Sequence, residues 1–250
     1  MKRLSLEDPT LDFTPTSSVL YHCIWFGPFL PHLQLSLASL FHTQHAPTVY
    51  LWTDRESYDG LQCLKPLFSE SSLDIRIPDF IVDLDSYYAP SFRSDYWRFC
   101  IVWEYGGLYF DLDVLFLKDL SWTSRYPFVQ EGFITENVFN TAIMYFPPQH
   151  EDVGYWLAQV REETHLDWKR LFQIQSYAHP YSCFLFPNAF LDYSWTVVST
   201  FSTDDFFQKD LPIETLFATN SFAYHWHNRY SLSVTNENTL VGKCWNHFCT

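Results

Sequence analysis

The hydrophobic pattern changes period several times along the first hundred residues. Val19 to Phe26 (VLYHCIWF) is an unbroken apolar and aromatic run, as a strand buried on both faces requires, and Gly27-Pro28 ends it. From Leu30 the apolar positions Leu33, Leu37, Leu40 and Phe41 recur at helical spacing, which predicts a helix over 31–43. Pro47 breaks that pattern, and Thr48 to Trp52 reads as a second strand. Residues 56–68 suggest a short helix, and Leu73 to Ile77 alternates as a third strand. Strand, helix, strand, helix, strand predicts an α/β fold with a parallel sheet and crossover helices.

Flanking this unit, residues 1–17 are polar with two prolines and predict an N-terminal arm, and 79–90 predict a loop rich in Asp and Tyr. A helix is expected over 91–105, with Tyr96, Phe99, Cys100 and Trp103 as its core face and Asp95 and Arg98 side by side on an adjacent one. Gly106-Gly107 supplies the stop. Leu108 to Leu117 then reads as one extended segment. A regular pleat would send Phe110, Leu112, Val114 and Phe116 one way, and Tyr109, Asp111 and Asp113 the other.

Phe128–Glu131 and Thr141–Phe146 read as strands around the loop GFITENVFN, 150–163 as an amphipathic helix, and 168–178 as another helix. Pro180 to Trp195 is mixed and aromatic. Phe222 to Trp226 reads as a last strand, followed by HWHNRY and a polar C-terminal extension, 231–250, with no assigned element. No repeat or low-complexity linker divides the chain, so one domain over 1–250 is expected.

Composition adds three constraints. With 47% hydrophobic and 20% aromatic residues the chain can build a sizeable core. Its formal charge is −14 with no Lys/Arg cluster, which argues against nucleic acid or an anionic membrane surface as the main partner. A chain this acidic needs a metal or a local cationic site to hold an anionic ligand. The six cysteines form no CxxC pair and read as buried thiols. No apolar run is long enough to span a membrane, and the first residues lack a signal-peptide core. The expected location is therefore cytoplasmic, or the Golgi lumen if the sequence is a piece of a longer protein.

The chemistry concentrates in Ser94–Leu117 (SDYWRFCIVWEYGGLYFDLDVLFL). Asp111 and Asp113 on one side of an extended segment make a hard oxygen site suited to Mn²⁺ or Mg²⁺, with positions left for phosphate oxygens. Arg98 could donate a fork of hydrogen bonds to phosphate or a sugar hydroxyl, and Asp95 could accept from sugar hydroxyls. Other readings of the same residues stay open. The pair could be a solvated turn, and FDLDVLF also resembles the nucleophile motif of haloacid-dehalogenase-type phosphatases, with Asp111 as nucleophile. The aromatic content suits a non-catalytic carbohydrate-binding module.

SDYWR followed by GGLYFDLD resembles the SDxxR…GGxYxDxD signature of DxD-type sugar transferases. The similarity is to the α-1,4-glycosyltransferase-like and initiating mannosyltransferase-like group of glycosyltransferase family 32, whose core clostridial glucosylating toxins share. YHCIWFG, LWTD, FNTAIMYF, CFLFPNAFLDYSW and AYHWHNRY resemble further ordered pieces of that family, so the resemblance covers about 19–230. It implies a GT-A fold with a mixed central sheet, a divalent metal, a nucleotide-sugar donor, a glycan or other hydroxyl acceptor, and retention of anomeric configuration. By motif position, Trp25 would stack on the nucleobase, while Asp95, Arg98 and Tyr109 would contact the donor. Asp113, Asp111 and His225 would hold the metal, with His227 as the alternative to His225. Asn137 and Asn140 would reach sugar hydroxyls. Asp111, Asp113 and Arg98 form the expected catalytic set, with a UDP-sugar favoured over a GDP-sugar.

Overall fold

The computed structural model describes residues 1–5, 7–9, 11–16, 19–69, 72–79, 90–132, 139–161, 181–192 and 202–250. Ten strands run in chain order: β1 (Lys2–Arg3), β2 (Leu20–Ile24), β3 (Thr48–Trp52), β4 (Ser72–Arg76), β5 (Gly107–Phe110), β6 (Val114–Phe116), β7 (Phe128–Glu131), β8 (Phe139–Phe146), β9 (Phe184–Phe186) and β10 (Ala223–His225). Five helices flank them in the first two-thirds: α1 (Pro31–Thr43), α2 (Arg55–Leu61), α3 (Leu64–Leu67), α4 (Pro90–Tyr105) and α5 (Glu151–Arg161). Eight strands form a sheet in the order β1-β9-β7-β8-β5-β2-β3-β4, and β10 and β6 form a separate antiparallel pair.

The parallel unit predicted from the first hundred residues is β2-β3-β4, and β5 extends it in parallel on the other side of β2. Tyr21, Cys23, Val49 and Leu51 are fully or almost fully buried on it, which is what the unbroken apolar runs demanded. β8 runs antiparallel between β5 and β7 and makes the sheet mixed. The GT-A reading of the sequence is therefore borne out in its topology.

Several local expectations are corrected. The 56–68 helix is two short helices, α2 and α3, broken at Gln62-Cys63. The core face of α4 is Trp97, Phe99, Ile101 and Val102, while Tyr96, Cys100 and Trp103 are only partly buried. Burial is selected by α5 and the sheet on two sides of α4, so the inward surface is wider than one heptad stripe. The 108–117 segment is not one strand. β5 stops at Phe110, residues 111–113 turn with Val114 N–H on Asp111 O (3.1 Å), and β6 leaves for the small sheet. The polar extension 231–250 ends in a helix, Leu240–Cys249, capped by the Thr239 hydroxyl and packed on α1. The arm is tied down at its start, with Lys2–Arg3 beside β9 and Arg3 paired with Glu131. The expected helix at 168–178 lies outside the described residues.

Gly107 shows why two glycines stand between α4 and β5. Its φ is +105°, and an added Cβ would sit 2.5 Å from Leu20 O and 3.2 Å from His22 Nε2. With no side chain there, buried His22 reaches across β5 and donates Nε2–H to Gly106 O (2.8 Å). Its Nδ1 accepts from Trp52 Nε1–H (3.0 Å). The neighbour Gly106, at φ +63°, faces Pro148 as closely.

Candidate functional site

The site lies at the carboxyl ends of β2, β3 and β5, where open α/β sheets place their ligands. Trp25 follows β2. Its N–H bonds Trp52 O, its carbonyl accepts from Thr53 Oγ1, and its indole donates to Pro28 O (2.9 Å), so the ring is held in a defined loop. Tyr230 packs against that ring edge-on, with centroids 5.1 Å apart. Asp54, after β3, caps α2 by accepting Ser57 N–H, and it pairs with Arg93 of α4 (3.1 Å).

Arg98 is the hub. It is buried on α4, and its guanidinium reaches Asp95 (2.6 Å), both oxygens of Asp111 (3.2 and 3.4 Å) and the carbonyl and hydroxyl of Thr141 (3.1 and 3.2 Å). It also lies 4.8 Å from the centre of the Tyr109 ring, and the Tyr109 hydroxyl donates to Asp111 (2.7 Å). Burial pulls the Arg98 pKa down, but Asp111, Tyr109 and Asp95 outweigh it and hold the charge firmly. Burial pushes the Asp95 carboxyl up to about 6, against the pull of Arg98. Asp95 and Arg98 are thus more than an exposed helix pair: they are one end of a buried network.

Asp113 is the most enclosed acid of the pair, 1% exposed. β6 carries it against β10, so Trp226 N–H bonds its carbonyl (2.9 Å), Asn228 N–H bonds Oδ2 (2.6 Å) and His225 Nε2 stands 3.2 Å from Oδ1. Burial alone would raise its carboxyl, yet His225 and Asn228 hold it below the usual carboxylate range. Asp111, next to it, is raised by burial and by Asp113 despite Arg98. The His225 imidazole is desolvated, but the Asp113 charge lifts it to about 9.

One donor atom each from Asp111, Asp113 and His225 lies within 4.8 Å of the others. Two carboxylate oxygens and an imidazole nitrogen are a donor set a divalent cation fits. The turn at 111–113, unforeseen in the sequence, is what lets both aspartates face one point without a regular pleat.

Of the other expected residues, Asn140 lies on β8 beside Thr141, with its carbonyl oxygen accepting Ala142 N–H (2.7 Å). Asn137 lies outside the described residues. The residues that sequence reasoning missed are Thr141, Asn228 and Asp192. Asn228 acts through its main chain, at φ +59°, which no side-chain pattern reports. Asp192 is fully buried and pairs with His227 (2.7 Å); an acid inside CFLFPNAFLDYSW, among apolar neighbours, was the available signal.

Residues 32–129 match the family described as "Glycosyltransferase sugar-binding region containing DXD motif". The fold resembles that of the glycosyltransferase GlyE from Streptococcus pneumoniae TIGR4, with a TM-score of 0.61 and 13% identity over 94% of this chain and 61% of that one. It also resembles the galactosyltransferase LgtC, solved in complex with donor and acceptor sugar analogs, with a TM-score of 0.56 and 10% identity over 92% of this chain and 96% of LgtC. No curated protein matches. Fold and site together define the class, a GT-A scaffold presenting an Asp-x-Asp turn at the carboxyl edge of its parallel strands. Within it, residues 32–129 are similar to the DXD-containing glycosyltransferases, as the SDYWR…GGLYFDLD resemblance implied. It spans about three-fifths of the length of GlyE. Among the described residues no helix is long and apolar enough to cross a membrane.

Proposed function

We propose that the chain transfers a sugar from a nucleoside-diphosphate-sugar donor to a hydroxyl of a glycan or other acceptor, with retention of configuration and dependence on a divalent metal. The observation that carries this reading is the convergence of Asp111, Asp113 and His225 within 4.8 Å, beside the Arg98 hub. Mn²⁺, or Mg²⁺, held by Asp111, Asp113 and His225 would neutralise charge developing on the leaving diphosphate. LgtC, solved with donor and acceptor sugar analogs, shares the fold, and a donor and an acceptor sugar are carried to this chain on that likeness.

The chain's own residues would do the following. Trp25 would stack on the nucleobase, which stabilises by about 1–3 kcal/mol. Arg98, held by Asp95 and Thr141, would present fixed positive charge to the donor and fix the orientation of Asp111. Asp95 and Asn140 would accept from or donate to sugar hydroxyls. The acceptor hydroxyl would approach the face from which the diphosphate departs. A phosphate oxygen would take its proton as the bond from the anomeric carbon to the acceptor oxygen forms and the bond to the diphosphate breaks. In this scheme the protein contributes positioning and electrostatics. Both oxygens of Asp111 lie against Arg98 and one also against the Tyr109 hydroxyl. Nothing in that arrangement favours a phosphoryl-accepting role for Asp111.

The test is a thermal-shift series with UDP, GDP and their sugars, with and without Mn²⁺, followed by donor hydrolysis. A ligand at 100 times its Kd stabilises by about 2.7 kcal/mol. We expect a Mn²⁺-dependent shift larger for UDP than for GDP, and slow release of UDP from a UDP-sugar. No shift and no hydrolysis with any nucleotide sugar would overturn the reading.

A further inference from the structure

A second donor set adjoins the first and shares a residue with it. One donor atom each from Asp192, His225 and His227 also lies within 4.8 Å of the others. Asp192 is fully buried, His225 nearly so, and the His227 side chain is 19% exposed. His227 Nε2 stands 2.7 Å from Asp192 Oδ2, and the His225 and His227 rings lie 4.0 Å apart. A left-handed conformation at His227 (φ +52°) follows once β10 has ended and sets its ring beside that of His225. The small helix at Asn188–Leu191 delivers Asp192 from the other side.

The two sets differ in chemistry. Asp111, Asp113 and His225 offer two oxygens and one nitrogen, while Asp192, His225 and His227 offer two nitrogens and one oxygen. Oxygen-rich sets suit Mn²⁺ and Mg²⁺; imidazole-rich sets suit Zn²⁺ and its neighbours in the transition series. A tetrahedral Zn²⁺ with ligands at 2.0–2.1 Å separates its donor atoms by about 3.3 Å. The Asp192–His227 pair needs to open by only about half an ångström to reach that spacing.

We propose that Asp192, His225 and His227 form a second, nitrogen-rich cation site that takes Zn²⁺. Because His225 belongs to both sets, Zn²⁺ bound there withdraws a ligand from Asp111 and Asp113, and the two cations compete. The Zn²⁺ site stands on its own geometry; the competition rests on the reading of Asp111, Asp113 and His225 given above.

The experiment uses the full chain and the metals alone. Mn²⁺ is followed by its EPR signal, Zn²⁺ by calorimetry, and Co²⁺ by visible absorption as a stand-in for Zn²⁺. His227→Phe keeps a ring against His225 and removes a nitrogen donor; Asp192→Asn keeps a hydrogen-bond acceptor and removes the charge. We expect both variants to bind Zn²⁺ at least about 10-fold more weakly than wild type and to change the Co²⁺ spectrum, while Mn²⁺ affinity shifts less than about 3-fold. We expect Asp113→Ala to lose Mn²⁺ and retain Zn²⁺. We also expect Zn²⁺ to displace Mn²⁺ from wild type at lower concentration than from His227→Phe. Equal Zn²⁺ affinity in wild type and both variants would overturn the proposal, as would a parallel fall in Mn²⁺ and Zn²⁺ affinity. Mn²⁺ binding that survives Asp113→Ala would overturn the functional reading but leave the Zn²⁺ site standing if His227→Phe weakens it.

Discussion

Arg98 Nη2 lies 3.2 Å from Asp111 Oδ1, and this contact joins the helix before the glycines to the turn after them. Arg98 is also the buried counter-charge for Asp95. Removing one partner of a buried ion network leaves the others uncompensated, at a cost of about 3–5 kcal/mol. Arg98→Ala is therefore expected to lower the Tm by about 6–20 °C in a chain of this size. Arg98→Lys, which keeps charge but cannot reach Asp95, Asp111 and Thr141 together, should fall between. Unchanged melting of Arg98→Ala would contradict the hub.

Asp113 differs from Asp111 in being enclosed by main-chain donors from the C-terminal third. Asp113→Ala removes one of the three proposed ligands and is expected to weaken Mn²⁺ binding more than about 100-fold by EPR titration. The nucleotide-induced thermal shift should then lose its dependence on Mn²⁺. A Mn²⁺-dependent shift of wild-type size would refute the assignment.

Much of this network was legible in the sequence, and the reason is local. The boundaries of α1 and β3 follow from a proline at each edge and from apolar periods that tertiary contacts do not override. Asp95, Arg98, Asp111 and Asp113 lie within 19 residues, so their spacing is itself a motif. The turn at 111–113 was not legible, because alternating apolar residues look the same whether a strand continues or passes from one sheet to another. Nor was the core face of α4, which depends on α5 and on β2, β5 and β8 rather than on its own period. Thr239 and the helix after it were hidden by the polar composition around Asn236–Asn238.

Gly107 predicts a sharp steric effect. At φ +105°, with Leu20 O 2.5 Å from a hypothetical Cβ, alanine meets both backbone strain and a collision with a central strand. Gly107→Ala is expected to cost at least about 3 kcal/mol, read as a fall in urea midpoint at unchanged m. Gly60→Ala, where a Cβ meets nothing within 4 Å, is the control and should be neutral or slightly stabilising.

His22 carries a pH signature. Burial drives its folded-state pKa down to about 3, because Trp52 Nε1–H already occupies Nδ1 and no room remains for a second proton. The unfolded chain binds that proton near pH 6.5. Between pH 3 and 6.5 the unfolded state therefore holds more protons, so this contribution to stability is complete above pH 6.5 and is lost as pH falls. The slope is about 1.4 kcal/mol per pH unit. His22→Phe should be less stable at neutral pH and should flatten the stability–pH curve by that slope; an equal slope in both proteins would contradict it.

Asp113 and Asn228 are separated by 115 positions along the chain. At synthesis rates of about 5–20 residues per second, that interval is about 6–23 seconds. Over it, Asp111 and Asp113 are already part of the nascent chain while the strand and turn that enclose Asp113 have not yet been made. Arg98, made earlier, is present throughout as a guardian for Asp111, whereas Asp113 has none. Completion of the cluster around Asp113 is thus timed to one of the last events of the nascent chain, and a protein stalled before residue 223 would leave exposed the Asp113 carboxyl that the finished molecule buries.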